Sequence, residues 1–96
     1  MTHLTLASPS GHPLKPLIEA ALQNELRILD AGIRRTQQKL REFELRHGIT
    51  TADFIRQYEN DELAESLDLA EWIGEARMLH RLKEKSGILR EVRLED

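Results

Sequence analysis

No cysteine occurs among the 96 residues. Disulfides, thiolate zinc sites and cysteine nucleophiles are therefore excluded within this chain, and a reducing compartment fits. Aromatic residues are scarce at 4%: Phe43, Phe54, Tyr58 and Trp72 are the only rings apart from histidines. No apolar run approaches the ~20 residues that span a bilayer. Residues 1–13 lack a basic start followed by an apolar stretch, so they do not read as a signal peptide. The expectation is a cytoplasmic protein with no membrane contact. A net charge of −3 argues against general affinity for nucleic acid. There is no glycine-rich phosphate loop, no Ser/His/Asp grouping, no helix-turn-helix pattern, no internal repeat and no low-complexity tract.

What the chain does have is charge, at 32%, mixed with 40% hydrophobic residues. That balance suits long amphipathic helices in a single small domain. A seam of residues steps by four and three through Ile18, Leu22, Leu26, Leu29, Ile33, Thr36, Leu40 and Phe43. This spacing holds one stripe on one helical face. The first helix is expected over about 16–47. Pro16 stands in its first turn, where the missing N–H costs nothing. Arg46 and His47 suit its negative C-terminal end, and Gly48 suits the residue just beyond. Gly32 lies inside and reads as simple tolerance of a glycine in a long helix.

Thr50, with Asp53 three residues on, has the form of a capping box opening a short helix over 51–59. Phe54, Ile55 and Tyr58 should face inward. Residues 60–66 read as an acidic elbow. Ser66 is a good N-cap for a third helix over about 66–94, with Asp68 and Glu71 in its first turn. Its stripe reads Leu69, Trp72, Ile73, Ala76, Leu79, Leu82, Leu89 and Val92, with Ser86-Gly87 a candidate kink or fray. The fold class is all-α: an antiparallel hairpin of two long helices, residues 14–96, with the short helix at the elbow.

Residues 1–13 form a separate extended arm. Thr2, Leu4 and Leu6 alternate with His3, Thr5 and Ala7, which suggests a short strand. Residues 8–13 read as turn or linker. A lone strand has no evident partner in this chain, so it either stays unpaired or pairs with another molecule.

One hairpin cannot cover all the apolar residues. Leu14, Leu17, Ala21, Ile28 and Leu45 lie off the first seam, and Leu67, Met78 and Ile88 lie off the second. A homodimeric four-helix bundle would bury them. Candidate core and dimer residues are Leu22, Leu26, Leu29, Ile33, Leu40, Phe43, Leu69, Trp72, Ile73, Ala76 and Leu79.

Charge is banded. Between Gln57 and Ala76 stand Glu59, Asp61, Glu62, Glu65, Asp68, Glu71 and Glu75, without a lysine or arginine. Residues 77–93 carry six basic residues against Glu84 and Glu91. Asp68, Glu71 and Glu75 share a helical face. It reads as solvated, or as a surface docking on a basic groove of a partner. Leu4, Leu6, Glu59, Glu62, Glu65, Asp68, Glu71 and Glu75 are the candidate partner contacts.

Catalytic and metal readings are thin. Glu44 and His47 make one Glu-x-x-His, whereas di-iron bundles need two; His80 has Arg77 where glutamate would stand. His47 therefore reads as a helix-terminal histidine, and no metal or cofactor is expected. Arg41 and His47 have a spacing that resembles the Arg-to-His motif of HEPN ribonucleases, a loose pattern in arginine-rich helices. Trp72 reads as core rather than as an interface anchor.

Three motifs carry a resemblance. Phe43 to Thr50 fits F-E-x-x-[HY]-G-[IM]-[ST], Phe54 to Glu59 fits F-x-x-x-[YF]-E, and Leu67 to Trp72 fits L-D-x-x-E-W. Together with residues 17–82 around them, they resemble a family of small prokaryotic helical proteins. The resemblance implies a helical hairpin without catalytic residues. It also implies an antitoxin-like role, because genes of that family often lie beside genes for suspected small toxins. The expected function is thus non-enzymatic protein binding, as the antitoxin of a toxin–antitoxin pair. The alternatives are a scaffolding bundle and a small HEPN-like ribonuclease.

Overall fold

The computed structural model describes residues 2–8 and 11–95. Its element order is β1 (Thr2–Thr5), α1 (Lys15–His47), α2 (Thr51–Glu59), α3 (Leu67–Arg90) and β2 (Val92–Glu95). The chain is mostly helical. The two long helices pack together, the short one sits between them in sequence, and a short strand stands at each end. Pro9 and Ser10, within the expected linker, lie outside the described residues.

The helix ends follow their capping chemistry. Gly48 takes the left-handed conformation, φ 71°, and its N–H closes α1 on the Glu44 carbonyl. The Thr50 hydroxyl accepts from the Asp53 N–H at 3.1 Å. Only half of the capping box forms, because the Asp53 carboxylate pairs with Arg56 at 3.0 Å. Glu44 supplies another contact: its carboxylate accepts the Thr51 N–H at 2.7 Å, where α2 has a donor without a helical partner. The Ser66 hydroxyl accepts from the Leu69 N–H at 3.2 Å and starts α3.

Helices α1 and α3 are antiparallel. Arg46 meets Asp68, Lys39 meets Glu75, and Gly32 meets Leu82, so the partner's number rises as the α1 number falls. On the α1 seam Leu26, Leu29, Thr36, Leu40 and Phe43 are buried; Ile18, Leu22 and Ile33 are half-buried. On α3, Trp72, Ile73 and Ser86 are buried, and Leu69, Ala76, Leu79, Leu82 and Leu89 are half-buried.

The structure corrects three expectations. The N-terminal strand does have a partner in this chain: β1 pairs in parallel with β2, in the register Thr2↔Val92, His3↔Arg93, Leu4↔Leu94, Thr5↔Glu95. Accordingly α3 stops at Arg90 rather than near residue 94, and Val92 and Leu94 belong to a strand. Ser86-Gly87 does not interrupt α3, which runs unbroken from Leu67 to Arg90. Ser86 is buried on the packed stripe, and its hydroxyl accepts from Arg90 Nε at 3.2 Å. Gly32 faces α3: a Cβ there would lie 3.3 Å from a Leu82 methyl, a tight contact that a shift of a few tenths of an ångström in the Leu82 side chain would relieve.

Candidate protein-interaction surface

The elbow holds the densest packing. Phe54 and Trp72 are fully buried. Trp72 lies nearly parallel to three rings: Phe54 at 3.9 Å between centroids, His47 at 5.1 Å and Phe43 at 5.6 Å. The indole N–H donates to the Thr51 hydroxyl at 3.1 Å, so the buried donor is satisfied. Ile49, Ile55, Tyr58, Leu63, Leu69, Ala76 and Leu79 pack around this cluster. Trp72 is thus core within the chain, with no surface left for a partner.

This cluster also places the residues weighed for catalysis or metal. Glu44 is engaged with the Thr51 N–H, and His47 is paired with Asp68 while its ring stacks on Trp72. Arg41 donates to the Gln38 carboxamide at 2.7 Å. Arg41 and Glu44 line one open cleft with Thr50 and Asp53, whereas His47 is held by Asp68 and Trp72. Among the described residues, no three acids or histidines group as a metal site.

The acidic band divides in two. Asp68 bridges Arg46 and His47, and Glu75 pairs with Lys39 at 3.5 Å, so α1 supplies the counter-charges. Glu59, Glu62, Glu65 and Glu71 are exposed, and no ion pair within the described residues engages them. The sequence offered no signal for this split. It depends on which acids of α3 come to face the cations of an antiparallel α1.

At the opposite end the packing thins. Leu22, Leu26, Leu89, Val92 and Leu94 line an open groove between α1 and β2, rimmed by Lys15, Glu19, Arg90 and Arg93. In the arm, Leu4 stands opposite Leu94 in the sheet and is 44% exposed, while Leu6 is half-buried and lines a separate cleft with His12, Pro13 and Leu14. Large apolar side chains elsewhere are open, among them Leu17, Ile28, Met78 and Ile88, with Leu45 at 86% and Leu67 at 77%.

The whole molecule is extended, 60 × 22 × 18 Å, with a radius of gyration of 19.1 Å against about 12–13 Å for a compact domain of this length. Its accessible surface is 7041 Å², whereas a compact chain of its mass exposes roughly 5,700 Å². The excess, on the order of 1,300 Å², exceeds the ~800 Å² that each partner loses in a standard interface. No described helix is long and apolar enough to cross a membrane.

No family model matches this chain, and neither a curated protein nor a solved structure does. The family resemblance stands on the residues quoted for it alone.

Proposed function

We propose that this chain is a non-enzymatic, protein-binding helical hairpin that works as a homodimer, joining two hairpins into a four-helix bundle. Its specific role on this reading is that of the antitoxin in a toxin–antitoxin pair. One observation carries the proposal: the surface left open on a single hairpin is larger than a compact chain would leave, and it includes apolar side chains on both long helices. The structural engagement of Glu44, Arg41 and His47 favours protein binding over the ribonuclease reading.

The toxin contact is assigned to the unpaired acids Glu62, Glu65 and Glu71, with Glu59 beside them. Such charges speed encounter with a basic partner and select it. Asp68 and Glu75 are less available, because their charge is already met by α1.

The test is co-expression with the product of the adjacent reading frame, scored by growth and by co-purification. The expected result is rescue by the unmodified chain. Rescue should be lost on combining Glu62→Lys, Glu65→Lys and Glu71→Lys, with helical circular dichroism unchanged. Rescue that survives all three reversals overturns the acidic contact. A neighbour that is neither toxic nor bound overturns the antitoxin role.

A further inference from the structure

We propose that the outer edge of β1 joins two copies of this chain, forming a four-stranded sheet in the order β2-β1-β1-β2 across a two-fold axis. The inference rests on the homodimer reading above and names the element that connects the copies. It starts from an incomplete structure. A two-stranded sheet is marginal by itself, and parallel pairs are found almost only inside larger, covered sheets. Here β1 and β2 make a parallel pair with no third strand among the described residues.

The two strands differ in how their edges are guarded. β2 reads Val-Arg-Leu-Glu, and charges of that kind discourage strand addition. β1 reads Thr-His-Leu-Thr, with no lysine, arginine, acid or proline. β2 packs on α1 and its groove, so β1 is the outer strand.

The register says which groups are free. Just beyond β1, the Leu6 N–H donates to the Glu95 carbonyl at 2.9 Å. In a strand, backbone groups alternate sides, so Leu4 also directs its N–H and C=O towards β2. His3 and Thr5 then direct theirs to the open edge. An antiparallel pairing about a two-fold axis uses all of these groups when His3 meets the partner subunit's Thr5 and Thr5 meets the partner subunit's His3. That pairing forms four backbone hydrogen bonds between the copies. It sets Leu4 directly against the partner subunit's Leu4 at the close, non-hydrogen-bonded position, covering a side chain that is otherwise 44% exposed. The excess surface described above supplies the area a dimer needs beyond the strands themselves.

Because the chain has no cysteine, one introduced thiol reports on this geometry without interference. Leu4→Cys should oxidise rapidly to a covalent dimer, whereas Glu62→Cys at the distant elbow should not. Thr5→Pro removes an edge-directed N–H without touching the bonds to β2. Sedimentation equilibrium on the full chain should then show the dimer dissociation constant raised at least about tenfold, a loss of roughly 1.4 kcal/mol, with helical content unchanged. If the unmodified chain is a dimer, but Thr5→Pro leaves its dissociation constant unaltered and Leu4→Cys cross-links no faster than Glu62→Cys, the strand-edge assignment is wrong and the homodimer reading survives. A chain that sediments as a monomer at millimolar concentration overturns both.

Discussion

At the elbow, Trp72 and Phe54 are sealed from solvent and stacked 3.9 Å apart; at the other end of the same two helices, Ile18, Leu22 and Leu89 are only half-covered. Both ends use the same apolar spacing. The difference is a third layer. Helix α2 folds over the elbow and gives the α1–α3 seam something to pack beneath, whereas the far end has only a two-stranded ribbon. A pair of helices shares one line of contact, and a core needs residues above that line as well. The hairpin is therefore finished at one end and open at the other, and the open end is where association would add the most burial.

The sharpest way to break this comparison is to truncate one large side chain at each end. Trp72→Ala should cost about 3–5 kcal/mol, a large part of the 5–15 kcal/mol typical of a small domain. Leu89→Ala, half-exposed in the single hairpin, should cost about 1 kcal/mol. Urea denaturation followed by far-ultraviolet circular dichroism would measure both. Equal losses at low protein concentration would show that the far end is as well packed as the elbow. A Leu89→Ala loss that grows with protein concentration would place that end in an interface between copies, as the homodimer proposal expects, since association stabilises by mass action.

A finer contrast uses a single hydrogen bond. Thr51→Val keeps the side-chain shape but removes the acceptor for the Trp72 indole N–H, bonded at 3.1 Å. The buried donor is left unpaired, so the expected loss is about 1–3 kcal/mol, with no change in the affinity of the proposed dimer. A smaller loss would mean that water reaches the indole and that the elbow is looser than its ring stacking implies.

These contrasts also mark how far the amino-acid order was readable. The α1 seam was legible because a 3.5-residue spacing sustained from Ile18 to Phe43 has few other uses, and from Leu26 to Phe43 every seam residue except half-buried Ile33 is buried. The caps at Gly48, Thr50 and Ser66 were legible because each is a local chemical requirement. β2 was missed. Val92 and Leu94 alternate with Arg93 and Glu95 over only four residues, directly after a strong helical stripe, and what settles the conformation is a partner strand some ninety residues earlier. The surroundings of Gly32 were hidden for the same reason, since the Leu82 methyl beside it belongs to the other arm of the hairpin. Among the candidate contacts, the sequence could not show that Asp68 and Glu75 form ion pairs with α1 while Glu62, Glu65 and Glu71 form none among the described residues. Local patterns carried the elements; contacts between the two arms were not written in any one stretch.

The smallest expected effect concerns the ion pairs that tie the arms together. Arg90 grips Asp30 with one guanidinium nitrogen at 3.0 and 2.9 Å from the two carboxylate oxygens, while its Nε reaches Ser86. Both charged side chains are well exposed, at 55% and 38%, so water and salt screen the pair. Asp30→Asn should cost no more than about 1 kcal/mol, and the cost should shrink as salt is raised. At the elbow, Asp68 meets both Arg46 and His47 at similar exposure, so Asp68→Asn should fall in the same range. If the two substitutions differ by several kcal/mol in urea denaturation at high salt, charge rather than apolar layering would distinguish the ends. Equal and small effects leave the difference with the cover that α2 provides over Trp72 and Phe54.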